Sequence, residues 1–239
     1  MVFTIFLDNH ADIWERLLEF YYPRGAKVID FTYGTGAIHW NIFEKEKTEK
    51  YTLTKCDAAP NDKVKEEGVI VKDLTKDAYS DLGFHDCGVF DPPYLIGRSS
   101  FDYPNKSKVL DSNIAGTQVL AMQYQGKRSW AANKLDNYVA NPTLEVFNQR
   151  VLGLNRIAPT CLKAGALLFV KVMDPRNDGS LIPHHVNIIN SLTNFKLYDL
   201  GVYIRQGATT WKVKGHLQNL HGYWMIFQNK AAQSSLDLK

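Results

Sequence analysis

No stretch of this 239-residue chain reaches the run of about 18 uncharged apolar residues that a membrane span needs, so no membrane partner is expected. The opening MVFTIFLDNH lacks the basic start and small-residue cleavage site of a secretory signal. Cysteine is scarce, odd in number and scattered, as Cys56, Cys87 and Cys161. That sets aside a disulfide framework, and no Cys/His spacing matches a zinc site. The three read as reduced, packed thiols of a cytoplasmic protein, with no metal expected. Internal repeats and low-complexity tracts are missing too. The net charge is only +3, too small on its own to point to a polyanionic partner.

What is present is enough for one packed α/β domain. Apolar residues make up 45% of the chain, and the length suits a single domain over 1–239 that carries an insertion. His10–Tyr22 has the spacing of an amphipathic helix, with Ile13, Trp14, Leu17, Leu18 and Tyr21 on one face, Asp8 or Asn9 as cap and Pro23 as stop. Strands are predicted at Lys27–Phe31, Tyr51–Cys56, Gly68–Val71 and Cys87–Phe90, with a helix after the first running to about Lys45. An unusually long polar and aromatic region follows, roughly 95–142. Beyond it come a helix over Thr143–Leu162, an apolar strand over Ala166–Val172, a helix over Pro183–Leu192, and strands at Lys196–Tyr203 and Tyr223–Gln228. Strand and helix alternate, which predicts a mostly parallel seven-stranded sheet with helices on both faces. Two consecutive strands at the end predict an antiparallel hairpin.

Candidate chemistry gathers at strand ends. The first strand runs through Asp30, Phe31 and Thr32 into the turn Tyr33-Gly34-Thr35-Gly36. Glycines there let a ligand approach the backbone, and a following helix start offers free amides. His39 occupies the place of the third glycine of the dinucleotide fingerprint, which weakens a nicotinamide reading. Asp57, 21 residues past Gly36, can accept hydrogen bonds from both ribose hydroxyls, or is a solvated loop acid. Asp73 can reach a cofactor adenine, or simply caps a helix. Asp91-Pro92-Pro93-Tyr94 ends an apolar strand, at the sheet edge where α/β ligands bind. Two prolines fix the backbone and remove two N–H donors, which leaves carbonyls and the Asp91 carboxylate as a cluster of acceptors. An aromatic amino group needs such a cluster, because its lone pair is delocalised. Acceptors gripping its N–H bonds favour a pyramidal nitrogen and stabilise the charge that develops on attack. The Tyr94 ring offers a face on which a base can stack.

These motifs resemble the amino-methyltransferase superfamily, in particular the N6-adenine and N4-cytosine DNA methyltransferases known from restriction–modification systems. The family's cofactor motif often reads Asp-Pro-Phe-x-Gly-Ser-Gly, against Asp30 to Gly36 here. Its catalytic tetrapeptide is Asp/Asn/Ser-Pro-Pro-Tyr/Phe, against Asp91 to Tyr94. Asp at the first position resembles the adenine enzymes more than the cytosine ones. The end of the chain, Arg205 to Lys230, resembles the family's closing hairpin. The likeness covers about 25–94 and 165–230 and departs at Phe31 and Thr32. It implies a Rossmann-like class I fold with S-adenosylmethionine as cofactor. The cofactor would be held by Asp30, Phe31, Thr32, Gly34, Gly36, Asp57, Asp73 and Asp91, and the catalytic residues would be Asp91, Pro92, Pro93 and Tyr94. DNA is the implied partner, with RNA as an alternative.

Without a separate recognition domain, the 95–142 segment must do much of the substrate work. It carries six Lys/Arg against three Asp/Glu, and Arg205–His221 carries three basic residues and no acid, so the rest of the chain nets −3. Arg98, Lys106, Lys108, Lys127 and Arg128 stand among aromatics in the first stretch, and Arg205, Lys212 and Lys214 in the second. That mixture suits a strand with one base pulled out, or else an aromatic-bearing flap over the core. His184-His185 reads as a surface pair at a helix start. Lys171 is similar to the lysine of ribose 2′-O-methyltransferases, in which the proline tetrapeptide would be idle. Two rivals stand: an RNA or protein amino-methyltransferase, and a non-catalytic nucleic-acid-binding subunit with the same fold.

Overall fold

The computed structural model describes residues 5–7, 9–43, 49–60, 68–93, 143–177, 180–204 and 221–230. In chain order these form β1 (Ile5–Phe6), α1 (His10–Tyr21), β2 (Ala26–Asp30), a 3-10 turn (Ala37–His39), α2 (Trp40–Phe43), β3 (Tyr51–Asp57), β4 (Ile70–Val71) and a second 3-10 turn (Ser80–Leu82). They continue with β5 (His85–Phe90), α3 (Leu144–Cys161), β6 (Leu162–Val172), β7 (Arg176–Asn177), β8 (Ser180–Leu181), α4 (His184–Ser191), β9 (Phe195–Ile204) and β10 (His221–Asn229).

Eight strands make one sheet in the order β1-β9-β10-β6-β5-β2-β3-β4, and β7 and β8 pair separately. Within the large sheet only β10 runs against its neighbours, wedged between β9 and β6. The seven expected strands are therefore present, with the terminal hairpin closing back into the sheet. An eighth, β1, adds to the outer edge through Ile5 and Phe6, parallel to Val202 and Tyr203 of β9. At two residues it is too short to show the period-2 alternation by which strands are read.

The alternation of side chains across the strands divides the core in two. Ile29, Phe90, Val170 and Met225 face α3 and α4, packing with Phe147, Leu154 and Ile188. Val28, Val89, Phe169 and Trp224 face α1, packing with Trp14, Leu17 and Leu18. α1 buries the stripe its spacing predicts, and Asn9 caps it by accepting from the backbone N–H of Ala11 and Asp12 at 3.0 and 3.1 Å. After the glycine turn the helix starts as a 3-10 turn before α2, and the residues that would carry it to Lys45 lie largely outside the described set. Registers of Asp30 with Val89, and of Val89 with Phe169, bring the carboxyl ends of β2, β5 and β6 side by side. The candidate site lies at that edge.

Candidate active site

Asp30 ends β2 with its carboxyl buried at 1% exposure. One oxygen accepts from the Thr32 backbone N–H at 2.7 Å, and the other pairs with Nε2 of His39 at 2.7 Å. The Trp14 indole N–H, which can only donate, points at Nδ1 of His39 at 3.0 Å. His39 therefore accepts at Nδ1 and donates from Nε2 to Asp30. Burial pushes the Asp30 pKa up, the His39 and Thr32 hydrogen bonds oppose that, and nearby Asp91 adds to the rise. In sequence His39 stands out only as the residue replacing a glycine. Its bond to Asp30 comes from the turn folding back on β2.

The turn itself is tied to both neighbouring strands. The Tyr33 N–H donates to the Cys56 carbonyl at 2.9 Å, and the Gly34 N–H donates to the Asp57 carboxylate at 2.8 Å. The second Asp57 oxygen accepts from the Ala59 N–H at 2.8 Å. On the other side, Thr32 Oγ1 accepts from the Asp91 N–H at 2.8 Å, fastening the start of the proline tetrapeptide to the glycine turn. Gly36 has φ +66°, and a Cβ there would come within 2.3 Å of the Tyr33 hydroxyl. Gly34, at φ +57°, is exposed, and a Cβ there would meet nothing nearer than the Thr32 carbonyl at 3.8 Å.

The fold thus gathers Asp30, Thr32, Gly34, Gly36, Asp57 and Asp91 along one edge. Phe31 turns the other way, 1% exposed in the α3-side core, with its ring 5.7 Å from that of Tyr79. Asp73 is engaged in its own turn, accepting from the Thr75 N–H at 2.9 Å and the Thr75 hydroxyl at 2.7 Å. Its partial burial raises the pKa, but these bonds and Lys76 outweigh that and hold the carboxyl below its usual range. Pro92 is buried and Pro93 half-buried. Tyr94, Arg98, Lys106, Lys108, Lys127, Arg128, Arg205, Lys212 and Lys214 lie outside the described residues.

Lys171, set aside in sequence, stands at the centre. Its ammonium contacts both Asp91 oxygens, at 2.9 and 2.7 Å, and the residue is 5% exposed. Alternation along β6 puts Lys171 on the α1 side, directly across from Trp224 of β10. The signal in sequence was a charge inside an otherwise apolar strand end. The His184-His185 pair corrects the surface expectation: His184 is buried and stacks on Phe147 with ring centroids 3.9 Å apart. His185 is half-buried, bonds Asp174 through both its backbone N–H and Nδ1, and stacks on Tyr223.

No protein-family model matches the chain, and no curated protein matches it in sequence. Its fold is similar to that of TrmN from Thermus thermophilus, at 12% identity and TM-score 0.50, over 92% of this chain and 48% of that one. The chain therefore spans about half the length of TrmN. N-methyltransferase NodS from Bradyrhizobium japonicum is similar at 10% identity and TM-score 0.49, over 92% of this chain and 94% of that one. The 1,6-didemethyltoxoflavin-N1-methyltransferase of Burkholderia thailandensis is similar at 12% identity and TM-score 0.48, over 93% and 79% of the two chains. The architecture is a Rossmann-like α/β fold shared with TrmN: a mostly parallel sheet closed by an antiparallel hairpin. Among the described residues no helix is long and apolar enough to cross a membrane.

Proposed function

We propose that this protein is an S-adenosylmethionine-dependent methyltransferase acting on an exocyclic amino group of a nucleic-acid base, N6 of adenine in DNA. The observation that carries this reading is the joining of two motifs. The backbone of Asp91, first residue of the proline tetrapeptide, is bonded to Thr32 of the glycine turn at 2.8 Å. The methyltransferase fold supports it, as does the Burkholderia relative, whose structure holds S-adenosylhomocysteine.

The residues present fit the cofactor. Gly34 is exposed, with the Thr32 carbonyl 3.8 Å from where a Cβ would stand, and the Asp57 carboxylate is beside it at the end of β3, able to take ribose hydroxyls. Asp30 and Thr32 set the shape of the turn, and Asp73 closes the next strand end. When bound, S-adenosylmethionine supplies an electrophilic methyl group. The chain's own work is then to hold and polarise the acceptor. Asp91 and the carbonyls of the Pro92-Pro93 run grip the amino N–H bonds and stabilise the charge that develops on nitrogen, while the fixed backbone holds the amino group in line. Tyr94 stacks on the turned-out base. The 95–142 insertion, with Arg98, Lys106, Lys108, Lys127 and Arg128, holds the strand, and Arg205, Lys212 and Lys214 meet it from the hairpin side.

The test supplies labelled S-adenosylmethionine with DNA, RNA and protein in parallel and identifies the modified nucleoside. Label is expected on DNA as N6-methyladenine. Label on RNA, or as N4-methylcytosine, would move the substrate within the same chemistry. Label on ribose oxygen or a ring carbon would overturn the mechanism, since neither needs an amino-gripping tetrapeptide. Absence of cofactor binding by calorimetry would mark a non-catalytic subunit.

A further inference from the structure

A buried lysine ammonium has three N–H donors and no acceptor, and inside a protein each donor needs a partner. The Lys171 side chain is 6% exposed. Two of its donors go to the two oxygens of Asp91, at 2.9 and 2.7 Å. Among the described residues the third has no partner. A carboxylate offers about four lone-pair sites, so two on Asp91 remain after the lysine is bound, besides any bond at its backbone. Among the described residues the pair therefore presents an unused donor beside an unused acceptor, at the carboxyl ends of β5 and β6 next to the glycine turn.

That array has a specific complement. In adenine the exocyclic amino group is bonded to a carbon that also carries a ring nitrogen with an in-plane lone pair. The amino group donates and the ring nitrogen accepts, side by side on one edge. We propose that Lys171 is a substrate-binding residue that donates its third N–H to N1 of the target adenine while Asp91 accepts from N6. This rests on the amino-methyltransferase reading above and deepens it. The lysine then does two things. It holds the Asp91 carboxylate in one orientation from both oxygens, and it reads the amino group together with its ring-nitrogen acceptor, an edge that N4 and N3 of cytosine also present. An ammonium is a point donor on a flexible stem, whereas the guanidinium of arginine is a rigid planar fork, so the two are not equivalent here.

The test pairs a change in the protein with a change in the substrate. Random-sequence single-stranded oligonucleotides are made with either deoxyadenosine or 1-deaza-2′-deoxyadenosine, in which N1 is replaced by C–H. Methyl transfer is then measured as kcat/KM for wild type, Lys171→Met and Lys171→Arg, with circular dichroism and calorimetric cofactor binding checking each variant. Wild type is expected to lose about 10–100-fold on the deaza substrate, the size of one charge-assisted hydrogen bond. Lys171→Met is expected to be slow on both substrates and to show almost no further loss on the deaza one. Lys171→Arg should recover transfer to adenine only in part. An equal deaza penalty in wild type and Lys171→Met would overturn the inference. So would no penalty in wild type, a result that needs no variant to fold. If wild type transfers nothing to the adenine oligonucleotides, the amino-methyltransferase reading itself fails and takes this one with it, whereas transfer without a deaza penalty removes only the role of Lys171.

Discussion

His85, at the start of β5, is a residue through which mild acid is expected to act on the fold. It is fully buried, with Nδ1 at 3.2 Å from the Cys161 carbonyl and Nε2 at 2.8 Å from the Thr54 hydroxyl. A carbonyl only accepts, so Nδ1 carries the proton and Thr54 donates to Nε2. Burial lowers the pKa below the usual imidazole value, against the pull of the carbonyl bonds. The folded protein then binds this proton less readily than the unfolded chain does. The stabilisation is complete above the unfolded value of about 6.5 and is lost as pH falls from there through the folded value. Denaturant unfolding at pH 7.5, 6.5 and 5.5 should show wild type losing stability faster than His85→Gln, which cannot titrate; equal slopes would contradict the assignment. Asp30 has the opposite sign. Its raised pKa means it destabilises the fold once ionised, and it relieves that as pH falls through its folded value toward the unfolded one. Asp57 is the residue-scale test of cofactor binding. Asp57→Ala should weaken S-adenosylmethionine binding by about 1–3 kcal/mol in calorimetry, the size of a hydrogen bond to a charged group. Unchanged affinity in a folded variant would remove Asp57 from the site. At this scale the positions of Asp30, Asp57 and Asp91 along one sheet edge were legible because each stands at a strand end in the chain itself, whereas the inward turn of Phe31 was not. Lys171 and His39 stood out in sequence, but their pairing with Asp91 and Asp30 did not, because each partner lies on another element.

Among the elements, α3 shows how close backbone approach is built in. A Cβ on Gly153 would stand 2.3 Å from the Leu74 carbonyl oxygen, an atom that no side-chain rotation can move. Gly153→Ala gains about 1 kcal/mol of helix propensity, but overpacking of this kind costs about 1–3 kcal/mol. The variant should unfold at lower temperature or denaturant than wild type; a stabilised variant would mean that the helix can shift away. The same helix runs through Pro159, which cannot donate to the Asn155 carbonyl four residues back. That carbonyl accepts instead from the Asn194 side chain at 2.9 Å, which lets the helix reach Cys161. Periodicity predicted this helix to within a residue or two because its apolar face is long. It could not predict β1, at two residues, or the 3-10 start after Gly36, where the left-handed glycine and the Tyr33 ring set the local backbone. The Thr143 hydroxyl accepts from the Val146 N–H at 3.2 Å and fixes where α3 begins.

For the molecule as a whole, the mostly parallel sheet follows from the alternation of strand and helix and the antiparallel β10 from two strands met in succession, while the strand order was not legible. The depth of the site was less legible. Apolar runs locate strands, but only the register of β2, β5 and β6 brings Asp30, Asp91 and Lys171 onto one face. Charge is also distributed at this scale, with the basic residues gathered in 95–142 and 205–221 on a chain that is otherwise net acidic. If those stretches meet phosphates, log affinity for DNA should fall linearly with log salt. Charge removal at Lys127 and Arg128, or at Lys212 and Lys214, should shallow that slope by about one for each phosphate left without its cation. Binding and slope unchanged in both double variants would exclude the basic stretches as the nucleic-acid surface.

The central claim is that Asp91 grips an amino group during methyl transfer, and single-turnover transfer to DNA by wild type and Asp91→Ala measures it most directly. With folding matched by circular dichroism and cofactor saturating, the account predicts N6-methyladenine from wild type. The variant should be slower by about 10²–10³-fold or more, the usual loss when a preorganised partner of a developing charge is removed. Transfer by Asp91→Ala at the wild-type rate would contradict it.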